Sequence, residues 1–292
     1  MATNLSTHLP IAMYETISGN TENTQNPPQA AGQTFLRGTP ISLSAGFSQA
    51  WDGATINGGP GSIYGVSLEA GANLATAGSG YAPNFGQQGP PWSTVNIGAA
   101  PNQPSSVTIP YGAPFVTGGT LTMLAVGDTI FAAQYDTAEA ASSITAGSVS
   151  SSGVLSATAT NAHFAGEQII LSGFTSAGAP LNGLTAIVLP GGLSTSAYTA
   201  QLSTNPGAIG STGTGTDNPT YAPTQGMVGA QFGLTIDANG SWYIDGAKHT
   251  SGGNTVVRIY GLYPGDVTQT NPFVEVPNGQ LLFQFVSTVV DI

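Results

Sequence analysis

No stretch of this 292-residue chain repeats its apolar residues at the spacing of a long amphipathic helix. The apolar residues come in short runs, cut by 41 glycines and 20 prolines. Both residue types destabilise a helix interior, by about 1 kcal/mol for Gly and about 3 kcal/mol for Pro. Short branched and aromatic runs bounded by them read as strands. The expected class is therefore all-β, with single helical turns at most, at residues 71–75 and 137–141.

Charge narrows the function. Arg37, Lys248 and Arg258 are the only fixed cations against 14 acidic residues, for a net charge of -11. Charged residues are 6 % of the chain, where a soluble domain carries about 25 %. Three scattered cations cannot make the basic stripe that a nucleic-acid binder needs. Anionic membranes should repel the chain too. Contacts must come from backbone hydrogen bonds, small polar groups and apolar area, which suits a static building block better than an enzyme.

Disorder is the competing reading for a chain this rich in Gly, Pro, Ser and Thr. Hydrophobic residues at 40 % and aromatics at 8 % argue for a folded core. Without cysteine there are neither disulfides nor thiolate metal sites. Residues 1–10 have no basic residue and no apolar core, so they do not read as a secretory signal. No run approaches the roughly 20 apolar residues of a membrane span. Synthesis in a cytoplasm is expected.

Residues 1–34 read as an extended N-terminal arm, either a disordered tail or an arm docking on a neighbouring subunit. From residue 35 to 137, strand character recurs around Phe35, Ile41-Ser42-Leu43, Ser62 to Leu68, Val107 to Phe115, Leu121 to Val126 and Thr129 to Ala133. Ile63, Gly65 and Ser67 should share one face of their strand and Tyr64, Val66 and Leu68 the other. Arg37-Gly38-Thr39-Pro40 and Trp51-Asp52-Gly53 read as turns, Gly118-Gly119 as another, and 78–105 as loop.

Residues 138–224 are rich in Ser, Thr, Ala and Gly and suggest an inserted small β-sandwich or barrel, with strands at 143–149, 154–160, 168–172, 184–189 and 197–202. Its entry, 137–140, and its exit, 210–219, read as linkers. Residues 225–292 complete the core β-domain. There Asn239-Gly240, between two apolar runs, predicts a hairpin, and 256–260 and 280–290 predict strands.

Chemistry is hard to find. His8, His163 and His249 lie far apart, with none in an HxH or HExxH spacing. His249 beside Lys248 reads as an exposed loop pair. Asp237-Ala238-Asn239-Gly240 starts like a calcium loop, but Lys248 stands where the last acidic ligand belongs. No Gly-rich stretch, including Gly58-Gly59-Pro60-Gly61, continues into a P-loop, and there is no GxSxG. The carboxylates form no DxD or ExxE cluster. The expectation is no catalytic residue, no metal and no cofactor.

One pattern is more specific. It runs through Gly32-Gln33-Thr34-Phe35-Leu36-Arg37-Gly38-Thr39-Pro40, Trp51-Asp52-Gly53, Ile63-Tyr64-Gly65-Val66-Ser67-Leu68-Glu69 and Asn73-Leu74-Ala75. It continues in Asp128-Thr129-Ile130-Phe131, Gly229-Ala230-Gln231-Phe232-Gly233-Leu234-Thr235 and Trp242-Tyr243-Ile244-Asp245. Leu262-Tyr263-Pro264-Gly265-Asp266 and Leu281-Leu282-Phe283-Gln284-Phe285 close it. As a set, these segments resemble the capsid decoration or cement proteins of tailed bacteriophages, over roughly 32–137 and 225–292. The resemblance implies a β-barrel or β-tulip core module on the outside of an icosahedral head, often trimeric. The insert, with Phe164-Ala165-Gly166-Glu167-Gln168, Ser172-Gly173-Phe174 and Leu181-Asn182-Gly183, is similar to small β-domains of phage virion proteins and departs from the compact decoration pattern.

The expected function is thus a structural virion protein that binds the outer capsid surface and stabilises the shell. Its partners would be the major capsid protein and itself, as a homotrimer, with no nucleic acid and no membrane. Leu9, Ile11, Met13, Tyr14, Phe35, Arg37 and Trp51 are the candidate capsid or self contacts. The alternative is a fibre or adhesion module on which Trp51, Trp92 or Tyr198 stacks on host glycans. The major shell protein itself is disfavoured, because its fold needs a long charged helix.

Overall fold

The computed structural model describes residues 8–17, 24–27, 29–30, 33–44, 47–53, 62–73, 123–125, 127, 129–249, 255–264 and 279–286. The expected strand at 107–115, the loop at 78–105, Gly118-Gly119, Gly58 to Gly61 and Trp92 lie outside them. The chain is all-β. In order, the strands are β1 (Ala12–Thr16), β2 (Thr24–Gln25), β3 (Gln33–Phe35), β4 (Pro40–Ser44), β5 (Phe47–Ala50), β6 (Ile63–Ser67), β7 (Gly71–Asn73), β8 (Met123–Ala125) and β9 (Thr129–Asp136). There follow β10 (Ser142–Val149), β11 (Val154–Ala159), β12 (Gln168–Ser172), β13 (Thr185–Val188), β14 (Ala197–Leu202), β15 (Gly215–Pro219), β16 (Gln231–Ile236), β17 (Trp242–Asp245), β18 (Val257–Leu262) and β19 (Gln280–Phe285). Among the described residues, helix is confined to two short 3-10 turns, Ser176–Leu181 and Gln225–Met227.

Two compact units emerge. The first holds the described residues of 134–233 and 244–283, the second those of 8–133, 234–243 and 284–286.

The first unit contains a closed barrel in the order β10-β11-β14-β13-β12-β15. Every pairing in it is antiparallel. The sequences of β11 and β14 alternate apolar residues with Ser, Thr and Gln, so one face of each can be buried. Leu155, Ala157 and Ala159 of β11 point inward, as do Tyr198, Ala200 and Leu202 of β14. Ile144, Ile169, Leu171, Ala186 and Val188 complete the interior. A six-stranded barrel is narrow, and the alanines among larger residues let it close without overpacking.

β15 corrects the reading of 210–219 as a linker. In Gly-Thr-Asp-Asn-Pro only Thr216 is a strand-favouring type, while Gly, Asp, Asn and Pro are depleted in strands. It pairs on both sides all the same, Ser142 opposite Asp217 on β10 and Ile169 opposite Pro219 on β12. Gly215 explains part of this, because a Cβ there would lie 2.4 Å from the buried ring of Phe174. The expected helical turns are absent too. Residues 137–141 are an irregular connector, in which Asp136 Oδ1 accepts from Thr137 N and Thr137 Oγ1 from Glu139 N. Such short side chains take over backbone donors that a helix would use. Gly71–Asn73, in the other predicted turn, is β7 and pairs with β3.

In the second unit β4 pairs with β5 and β6, and β6 with β8. Gly38 (φ 82°) turns the chain before β4 and packs against Ile11, where a Cβ would lie 2.6 Å from the backbone. Strand β6 does not show the expected two-faced alternation. Ile63, Gly65, Val66 and Ser67 are all buried and Tyr64 half-buried, so both faces are covered. The Asn-Gly hairpin turn is present in altered form. Gly240 has φ 90° and Asn239 does not go positive, while Asp237 Oδ1 accepts from Asn239 N and Ser241 N.

The barrel interior yields a direct test. Replacing fully buried Leu155 with Ala should lower unfolding free energy by about 2–5 kcal/mol. Exposed Thr145→Ala should change it by less than about 0.5 kcal/mol. Urea melts of the two variants check the pair, and equal losses would contradict the assigned facing.

Candidate functional site

The most unusual chemistry lies in the first unit, where polar side chains are buried together. The segment between β11 and β12 is pinned by its own groups. Asn161 Nδ2 donates to Ala159 O and Ser194 O, and its Oδ1 accepts from His163 N. Gly166 (φ 92°) donates to Val188 O, and Glu167 N donates to Phe164 O. Thr224 Oγ1 donates to Gly166 O. A Cβ on Gly166 would lie 2.3 Å from the backbone of Gly226, so this close approach requires glycine. The loop therefore folds Glu167 back onto His163.

His163 is the hub. Its Nδ1 lies 2.6 Å from Glu167 Oε2 and 3.2 Å from Glu139 Oε1. Its Nε2 lies 3.2 Å from Asp217 Oδ1. Glu139 comes from the connector before β10, Asp217 from β15. Asp217 also accepts from Tyr198 Oη at 2.6 Å and Ser142 N at 3.1 Å. The His163 ring meets the face of Tyr198 edge-on, centroids 4.9 Å apart. All these side chains are buried, Glu139 being 6 % exposed and His163, Glu167 and Asp217 0 %.

Burial and like charge set the protonation. Burial works against the charged form of His163, but the carboxylates of Asp217, Glu139 and Glu167 around its ring outweigh it and raise its pKa well above the ordinary histidine value. Burial also raises Glu167, assisted by the Glu139 charge and opposed by His163. Tyr198 is raised by burial and by Asp217. Tyr135, on β9, is raised by burial first and then by Glu167, Glu139, Asp245 and Asp136. Its hydroxyl is buried without a hydrogen-bond partner. The cluster is thus built to hold positive charge, as a proton or as a cation. Among the described residues, Glu139, His163 and Glu167 are the group whose ligand atoms converge for a metal, all within 4.8 Å of one another.

Sequence reading missed this site. His163 and Glu167 are four residues apart, but Glu139 and Asp217 join them only because β10 and β15 are neighbours in the barrel. Neither His8 nor His249 contributes a ligand atom to it. His8 stacks on Tyr243 with centroids 4.1 Å apart, and Asp237 Oδ2 accepts from its backbone N at 2.8 Å. Burial tends to raise the Asp237 pKa, yet donors from Ser241, His8 and Asn239 hold it below its ordinary value. His249 corrects the exposed-pair reading: it and Lys248 are half-buried, and its ring packs on Phe164.

Of the candidate contact residues, Leu9, Tyr14 and Arg37 are exposed and Met13 is half-buried. Ile11, Phe35 and Trp51 are buried, Trp51 beside Trp242. Ile11, Met13, Tyr14 and Arg37 line one pocket of about 270 Å³ with Val66, Ser67 and Leu68. Trp51 and Tyr198 are not the exposed stacking platforms that a glycan site was expected to use. No protein-family model, characterised protein or solved structure matches the chain.

The buried cluster has a pH signature. Both His163 and Glu167 bind protons more tightly folded than unfolded, so the folded state carries the extra protons and stability falls as pH rises. The loss begins above the ordinary carboxylate range and continues through the alkaline side of neutral. Thermal melts in chelator-containing buffer from about pH 5 to about pH 9 should show a decline of up to about 1.4 kcal/mol per pH unit for each proton. A His163→Gln/Glu167→Gln double variant should have a flatter profile. Parallel profiles would show that the cluster is not protonated as described.

Proposed function

We propose that this chain is a structural protein of a tailed-phage head, bound to the outside of the shell and bracing it, with no substrate turned over. The motif set of 32–137 and 225–292 supports this reading, as does an all-β fold with almost no cations. The observation that carries it is a set of large apolar side chains left on the surface of the second unit. Leu9, Ile17, Leu36 and Ile236 are 41–55 % exposed, and Tyr14 is 37 % exposed. In a chain this poor in charge, such side chains suit contact with another protein. Contacts of that kind do not weaken with salt as exposed ion pairs do. They suit a clamp that must resist the outward load of packaged DNA. The proposed partners are the major capsid protein and further copies of this chain, as a trimer.

Electron micrographs should place the protein on the outer capsid surface, and particles lacking it should rupture at lower temperature. A Leu9→Asp/Tyr14→Asp variant should keep its β-type circular dichroism and lose at least about tenfold in binding to bare particles. Equal heat resistance with and without the protein would count against a brace. Localisation at the tail tip with a clear glycan-array signal would favour adhesion.

A further inference from the structure

We propose that Glu139, His163 and Glu167 form a binding site for one divalent transition-metal ion, with Zn2+ the best chemical match. The argument starts from unmet polar groups. Both carboxylate oxygens of Glu139 and Oε1 of Glu167 are buried and accept no hydrogen bond. Buried carboxylate oxygens left this way are costly, and natural proteins seldom tolerate them. Nor can histidine alone repair the defect. Nδ1 carries one proton yet faces two carboxylates, Glu167 Oε2 at 2.6 Å and Glu139 Oε1 at 3.2 Å. One N–H serves one of them, whereas a dication serves both.

The ligand set selects the ion class. One imidazole with two carboxylates suits Zn2+ and its neighbours, while Ca2+ and Mg2+ prefer all-oxygen shells. Tetrahedral zinc with arms of about 2.1 Å spaces its ligand atoms about 3.4 Å apart. The three ligand atoms, all within 4.8 Å of one another, need only small side-chain rotations to reach that spacing. The outer shell is in place as well. With Nδ1 on a metal, Nε2–H faces Asp217, which is oriented by Tyr198 Oη and Ser142 N. A carboxylate behind a ligating histidine is the usual support for such sites. The connector that carries Glu139 lies at the surface, with Ala138, Ala140 and Ala141 exposed. The ion would staple that connector to the β11–β12 loop, at the point where the chain enters the barrel.

The test uses the full-length protein, stripped with chelator and titrated with zinc chloride by calorimetry. The expected result is one ion per chain, a higher melting temperature, and Co2+ substitution giving visible bands of a low-coordinate site. Glu139→Gln and Glu167→Gln should each weaken Zn2+ binding by at least about a hundredfold, and Asp217→Asn by about 10–100-fold. Thr145→Ala, at an exposed barrel position that supplies no ligand atom, should bind as wild type. Circular dichroism shows whether each variant folds. Glu167→Gln nearly preserves the size and shape of the side chain, so it should fold even if it cannot bind. Absence of stoichiometric binding to the stripped wild type would overturn the proposal. So would undiminished binding by a folded Glu139→Gln/Glu167→Gln variant.

Discussion

The barrel of the first unit depends on the polar attachment of its closing strand. β15 brings no side chain to the apolar cluster of the interior, so the hydrophobic effect that seals the other five strands does little for it. It is held by backbone ladders on both edges and by Asp217, whose carboxylate accepts from Tyr198 and Ser142 inside the protein. Once that acid is buried, the rest of the cluster follows. A buried carboxylate requires partners, and His163 approaches it from the β11–β12 loop. Glu167 and Glu139 crowd onto the other side of the same ring.

The result is a concentration of acid in a chain that otherwise avoids charge. Of its 14 acidic residues, three converge on one imidazole in the barrel unit. With so few cations in the chain, ion pairing with Lys or Arg is not the general solution to buried acid. Histidine, tyrosine hydroxyls and backbone N–H groups take that role, at Asp217 in one unit and at Asp237 in the other. The same chain leaves large apolar side chains such as Leu9 and Ile236 on its surface.

Much of the fold was legible in the sequence, because period-two alternation and glycine turns are local signals. β11, β12 and β14 lie where the alternation of 154–160, 168–172 and 197–202 puts them. The hairpin at Asn239-Gly240 was legible for the same reason, although only Gly240 takes the left-handed conformation. β15 was not legible, since its strand character comes from neighbours on both edges and from the room that Gly215 leaves for Phe174. The connector at 137–141 looked helical by composition, but Asp136 and Thr137 take up its backbone donors.

The sequence by itself determined that this protein is built from strands and lacks thiol chemistry, because composition and short-range periodicity act residue by residue. Only the tertiary structure decided which polar residues meet. Glu139, His163, Glu167 and Asp217 span 79 positions along the chain, and barrel closure alone brings β10 beside β15 and draws the four together. Burial is likewise a collective property. It made Trp51 and Tyr198 interior residues where their type alone suggested a surface, and it turned scattered acids into one site.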